Sequence, residues 1–131
     1  MSTIKDLIEI SHFYGRNKDF VIAGGGNTSF KDANTIWVKA SGTTLADITE
    51  NGFAMLDRVK LGAIATKKYS DNSDQREAEI KADLFRSSLQ PEMNLRPSVE
   101  TSLHDLIRFN YVVHTHPTLV NALLCLSLIH I

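Results

Sequence analysis

Disulfide chemistry is excluded first, because the 131-residue chain holds a single cysteine, Cys125. A lone thiol fits a reducing compartment, and the cytoplasm is the expected location. Neither sign of charge dominates: 14 basic and 15 acidic residues leave a net charge of −1. That balance lacks the basic footprint of a nucleic-acid binder, so no nucleic-acid partner is expected. No apolar run is long enough to span a bilayer, and no membrane partner is expected. The N-terminal stretch MSTIKDLIEI lacks the apolar core of a secretory signal. Internal repeats and low-complexity linkers are absent as well. What remains is ordinary for a soluble globular protein: 43% hydrophobic and 22% charged residues, in a length that suits one domain with a modest core.

Periodicity divides the chain into short elements. STIKDLIEISHFYG reads as a helix, capped by Ser2 or Thr3, with Ile4, Leu7, Ile8 and Ser11 on one side and Gly15 ending it. DFVIA reads as a strand broken by the three glycines that follow. NTSFKDANTIWVKA reads as a hairpin turning at Asp32, Ala33 and Asn34. TLADIT reads as one helical turn and FAML as a strand. DRVKLGAIATKK and SDQREAEIKADLFRSS read as surface helices. LQPEMNLRP is irregular because of its two prolines. SVETSLHDLIRF reads as a helix capped by Ser98, with Val99, Leu103, Leu106 and Ile107 along its apolar side. YVVHT is a strand, and Pro117 opens a last helix, PTLVNALLC.

Two stretches carry chemistry. In YVVHTHPTLV, His114 and His116 lie two residues apart at a strand end. Side chains at i and i+2 share a strand face, with roots ~6–7 Å apart. That spacing suits two ligands of one metal ion, and equally a pair of ordinary strand-end histidines. In AGGGNTSF, consecutive glycines permit left-handed backbone and expose amide N–H groups, as an anion nest requires. Read alone, the stretch is better explained as a tight turn closing a strand. A dinucleotide fingerprint is excluded, because Ser29 occupies the third glycine position and a hairpin follows instead of a helix. A P-loop is excluded by the absence of G-K-[ST].

Taken in order, GGGNTS, VKASG, RPSVETSLH and VVHTHP resemble the class II aldolase and adducin N-terminal family. The spacer between VKASG and RPSVE is most similar to bacterial members fused to a short-chain dehydrogenase. The resemblance implies an α/β fold: a three-layer α/β/α arrangement around a central mixed, mostly antiparallel sheet. It covers residues 1–125, with 126–131 expected to be a truncated or non-native tail, so the chain reads as the first part of an aldolase domain. It implies a divalent metal, zinc above all, held in such enzymes by three histidines, two of which correspond to His114 and His116. Glu100 corresponds to the catalytic carboxylate, although a carboxylate near a helix N-terminus is also favoured by the helix dipole alone. Gly26, Asn27, Ser29, Ser41, Gly42 and Ser98 correspond to the family's substrate-phosphate pocket. Lys39 stands where related sequences often carry lysine. Val99 departs from the family's second serine. His104 shares a helix face with Glu100 and is expected to pack or hydrogen-bond beneath the site.

The implied reaction is metal-dependent cleavage of a sugar phosphate, such as L-rhamnulose 1-phosphate or L-fuculose 1-phosphate, to dihydroxyacetone phosphate and an aldehyde. An epimerase or dehydratase on the same site is the nearest alternative. A non-catalytic adducin-like module is the more distant one, and the joint presence of His114, His116 and Glu100 argues against it. Family members are often homotetramers, so self-association of a full-length protein is implied. The third histidine ligand lies beyond this chain in the family pattern. His130, with a helix ~20 Å long between it and His116, is not expected to replace it. The chain alone is therefore expected to bind metal weakly and to be inactive.

Overall fold

The computed structural model describes residues 3–129, with side chains as far as residue 125. Helix α1 (Thr3–Gly15) leads to strands β1 (Asn27–Lys31), β2 (Thr35–Lys39) and β3 (Phe53–Asp57). Helices α2 (Arg58–Thr66), α3 (Ser73–Arg86) and α4 (Thr101–Leu106) follow, then β4 (Tyr111–His114) and α5 (Thr118–Ile129). The sheet order is β3-β2-β1-β4. Among the described residues all three ladders are antiparallel, within the mostly antiparallel sheet that was expected.

Local chemistry explains the elements. The Asp32 carboxylate accepts from the amides of Asn34 and Thr35 at 2.9 and 2.7 Å, which closes the β1–β2 turn. Asp57 caps α2 by accepting from Val59 N–H, and Asn72 caps α3 by accepting from Gln75 N–H. Helix α1 lays Leu7 and Ser11 on the sheet, where Leu7 packs with Phe30, Ile48 and Phe53. The Ser11 hydroxyl donates to Leu7 O and lies 2.7 Å from Thr28 Oγ1. On the opposite sheet face, Ile36, Val38, Ala54 and Leu56 pack with Leu61 of α2 and Leu84 of α3. Helix, sheet and helix layers follow from these two apolar faces.

Three expectations change. DFVIA is not a strand: Asn17 O accepts from both Phe20 and Val21 N–H, and Asn17 Oδ1 accepts from Asp19 N–H, so the segment coils into a turn. TLADIT forms a turn, and the one helical turn nearby is a 3₁₀ segment at Glu50–Gly52. The third concerns α4. Its apolar side is the exposed one, with Val99, Leu103 and Leu106 at 60%, 54% and 68% exposure, while Thr101 and His104 are buried. Hydrogen bonds from the buried face to β1 outweigh the apolar stripe, and the helix starts after Glu100, with Ser98 turning the chain into it.

Candidate metal centre and its surroundings

Strand β4 delivers His114, and His116 follows just past its end. Their rings stack with centroids 4.8 Å apart and planes 21° apart. Glu100 Oε2 lies 3.2 Å from His114 Nδ1. One ligand atom from each of Glu100, His114 and His116 lies within 4.8 Å of the others. His114 Nδ1 is buried and has no aligned hydrogen bond, so its approach to Glu100 is electrostatic rather than directional. Buried nitrogens are ordinarily satisfied, and an orphan beside a carboxylate and a second imidazole is what a cation-binding cluster leaves when protein groups alone surround it. The donor set fits a zinc-like divalent ion: two imidazoles and a carboxylate are its usual partners, and the His₂Glu combination occurs in catalytic sites.

The segment before α4 holds Glu100 in place. Arg96 O accepts from Ser41 N–H at 2.8 Å, and Pro97 bridges Ala40 at the end of β2. Ser98 Oγ accepts from Glu100 N–H at 3.2 Å, and Ser98 O accepts from Thr101 N–H at 3.1 Å. The segment after β4 is tied as firmly, since His116 N–H donates to Phe20 O and Thr118 N–H donates to Asp19 O.

Beneath the cluster, β1 presents Asn27, Ser29 and Lys31 on one face. Asn27 pairs with His114 in the β1–β4 ladder, and its buried Oδ1 has no hydrogen-bond partner among the described residues. Ser29 is fully buried, and its Oγ lies 2.7 Å from His104 Nδ1. Ser29 therefore supports His104 from below, with its hydroxyl engaged inside the sheet–helix interface. His104 takes the expected place beneath the site, fully buried, with Nε2 unpartnered. Burial pushes its pKa down to about 4; the Glu100 charge opposes that shift, while His114 and Lys31 add to it. Lys31 Nζ donates to His104 O at 2.8 Å and to Phe109 O at 2.5 Å, clamping the C-terminal end of α4 to the sheet. Sequence reasoning passed over Lys31. The signal was its i+2 relation to Ser29 on a strand face that also carries Asn27.

The remaining sequence candidates are spread around this platform. Gly26 has φ +76°, and a Cβ there would stand 3.0 Å from Val21 Cγ2 and 3.1 Å from His114 O, so packing and backbone both require glycine. Ser41 and Gly42 are exposed in the turn after β2, where Gly42 has φ +87°. Ser98 is half-buried and engaged with Glu100 N–H. Lys39 is 95% buried by its 5% exposure, and its pKa is lowered by burial, with Glu100 pulling the other way. His12 is committed elsewhere, 2.8 Å from Ile48 O through Nε2. His130 lies outside the described residues.

An α/β domain with a His–His–Glu cluster at one end of an antiparallel sheet is the class defined so far. Residues 5–130 match the family model described as Class II Aldolase and Adducin N-terminal domain, and the chain belongs to that family. A solved structure described as the N-terminal class II aldolase domain of a conserved protein from Thermoplasma acidophilum superposes with a TM-score of 0.73 at 29% identity. That match covers 89% of this chain and 56% of the other. The Bacillus subtilis (strain 168) protein described as uncharacterized oxidoreductase YuxG is 28% identical over 131 residues, spanning 93% of this chain. The chain spans only 18% of that relative's length. Among the described residues, no helix is long and apolar enough to cross a membrane.

Proposed function

We propose that this chain carries the metal-binding and proton-transfer part of a class II aldolase site acting on a sugar phosphate, with L-rhamnulose 1-phosphate and L-fuculose 1-phosphate as representative substrates. The observation that carries the reading is the convergence of Glu100, His114 and His116 within 4.8 Å around a buried, unpartnered imidazole nitrogen. His114, His116 and Glu100 would hold the ion, and zinc is the favoured identity from the donor set. A divalent ion supplies Lewis-acid stabilisation of negative charge that develops on substrate oxygens beside a carbonyl.

The chain's own residues do the rest. Glu100 is the acid–base group, taking or returning a proton at the carbon next to the carbonyl. Ser98 and the Arg96–Ser41 hydrogen bond fix its backbone, so the carboxylate is oriented before substrate arrives. The mostly buried Lys39 ammonium lies in the field of Glu100, which raises the lysine's pKa against the lowering by burial. His104 stays neutral at physiological pH and adds no competing charge beneath the cluster. The aldolase reading rests on the family; an epimerase or dehydratase would use the same carboxylate and histidine pair.

Isothermal titration of the metal-free chain with Zn²⁺ tests the reading. Weak but saturable binding of one ion, abolished in the His114→Ala, His116→Ala double variant, is the expected result. Equal binding in both proteins would remove the basis of the proposal.

A further inference from the structure

At the opposite end of β1 from the metal centre, the fold leaves an open cavity of about 280 Å³. Asn27 at the start of β1 opposes His114 across the ladder, whereas Lys31 at its end donates its N–H to Asn110 O. Four residues of strand, ~13 Å, separate the two ends. The cavity is lined by Lys31, Asp32, Arg58, Asp105, Arg108 and Asn110, among others. Three cations against two carboxylates leave one positive charge unbalanced. Lys31 is only 4% exposed, and its ammonium donates to His104 O and Phe109 O, which leaves one N–H over. Burial lowers its pKa, and repulsion from Arg58 lowers it further against the pull of Asp105, so this cation lacks a full counter-charge. Arg58 directs Nε to Asp105 Oδ1 and Nη1 to Asp32 O, both at 2.5 Å, and its Nη2 is uncommitted among the described residues. The Arg108 guanidinium has no hydrogen-bond or ion-pair partner among the described residues. Acceptors are left over as well. Asn110 donates through Nδ2 to Lys31 O, and Asp32 accepts two amides through Oδ1, which leaves Asn110 Oδ1 and Asp32 Oδ2 uncommitted among the described residues.

From this arrangement we infer that the cavity is a second ligand site, which binds a short hydroxycarboxylate, with its carboxylate against Lys31, Arg58 and Arg108 and its hydroxyls donating to Asn110 and Asp32. A guanidinium fork matches the two oxygens of a carboxylate, and a single negative charge balances the surplus of the lining. A phosphate dianion exceeds that surplus and sets its second charge against Asp32 and Asp105, where like charges repel. The volume lies just below the ~300–1,000 Å³ of drug-sized sites, which limits the ligand to a few carbons. Lys31 belongs to β1, Arg58 to α2, and Arg108 follows α4. One bound carboxylate therefore ties the end of α4 to the sheet and to α2. The site is independent of the metal reading, since none of its residues belongs to the Glu100–His114–His116 cluster.

The test is an NMR titration of the metal-free chain with glycerate, acetate, glycerol and inorganic phosphate at constant ionic strength. Saturable amide shifts at Asp32, Arg108 and Asn110 are expected with glycerate. Acetate should move the same amides at lower affinity, phosphate should bind more weakly than glycerate, and glycerol should move none of them. Arg108→Gln removes an exposed, unpaired guanidinium and should weaken glycerate binding ~10-fold, the effect of losing a charge-assisted contact. Arg86→Gln, which removes a cation of α3 outside the cavity, should leave the affinity unchanged. A native spectrum away from the cavity establishes that each variant folds. Absence of saturable shifts with glycerate, or equal glycerate affinity in folded Arg108→Gln, would overturn the inference. Phosphate binding as tight as that of glycerate would overturn the assignment to a carboxylate.

Discussion

One face of the sheet is built by two different rules. Over β2 and β3 it carries Ile36, Val38, Ala54 and Leu56, all at most 2% exposed and packed on Leu61 and Leu84. Over β1 and β4 the same face carries Asn27, Ser29, Lys31 and His114, covered by His104 of α4. The register makes the two halves continuous, since Ser29 opposes Val38 and Lys31 opposes Ile36. The apolar half needs only area removed from water, about 25 cal/mol per Å². The polar half needs each buried group matched, and among the described residues three of its atoms are not: Asn27 Oδ1, His104 Nε2 and His114 Nδ1. Stability is concentrated on one side and chemical potential on the other. The unmatched atoms lie at the end of β1 nearest the Glu100–His114–His116 cluster.

Perturbing each half separates the two rules. The largest loss is expected from Leu56→Ala, which opens a cavity in the apolar half and should cost about 2–5 kcal/mol in urea unfolding. Next comes acidification. Unfolded His104 protonates near its ordinary pKa of 6.5, whereas the folded residue resists until about 4. The unfolded state therefore binds more protons across that window, and stability is complete above pH 6.5 and declines as pH falls toward 4. The loss from this residue is on the order of 3 kcal/mol, and urea midpoints measured across the window should flatten in His104→Gln. Lys31→Met is expected to follow, because it strands the carbonyls of His104 and Phe109. A loss of about 1–3 kcal/mol, with faster amide hydrogen exchange in α4, is the expected outcome. Ser29→Ala should be the mildest, about 1 kcal/mol, by removing the hydroxyl beside His104 Nδ1. A Ser29 effect as large as that of Leu56 would erase the distinction between the halves.

The sequence disclosed these halves unequally. Period-2 alternation and the Asp32–Asn34 turn located the hairpin, and the 3.6-residue pattern located α1, α2 and α3, because those elements bury apolar side chains at their natural spacing. The His–x–His pair and the position of Glu100 were legible for the same reason: strand geometry places i and i+2 together, and the motifs flanking Glu100 are short and ordered. Helix α4 was misread. Its strongest pattern, Val99, Leu103 and Leu106, faces out, and the face that packs is held by hydrogen bonds to β1 that hydrophobic periodicity does not register. The contact between Ser29 and His104 was illegible in the same way, since the two residues lie 75 positions apart. DFVIA failed because the side-chain oxygen of Asn17 turns the chain before an extended run can begin.

The most direct measurement for the central claim is the Zn²⁺ affinity of the wild-type chain against Glu100→Gln and the His114→Ala, His116→Ala double variant, determined by competition with a chromogenic chelator. The account predicts weak binding of one ion per chain in the wild type, affinity reduced about 10-fold or more by Glu100→Gln, and no saturable binding in the double variant. Identical affinities in all three proteins, with each shown to be folded, would contradict it.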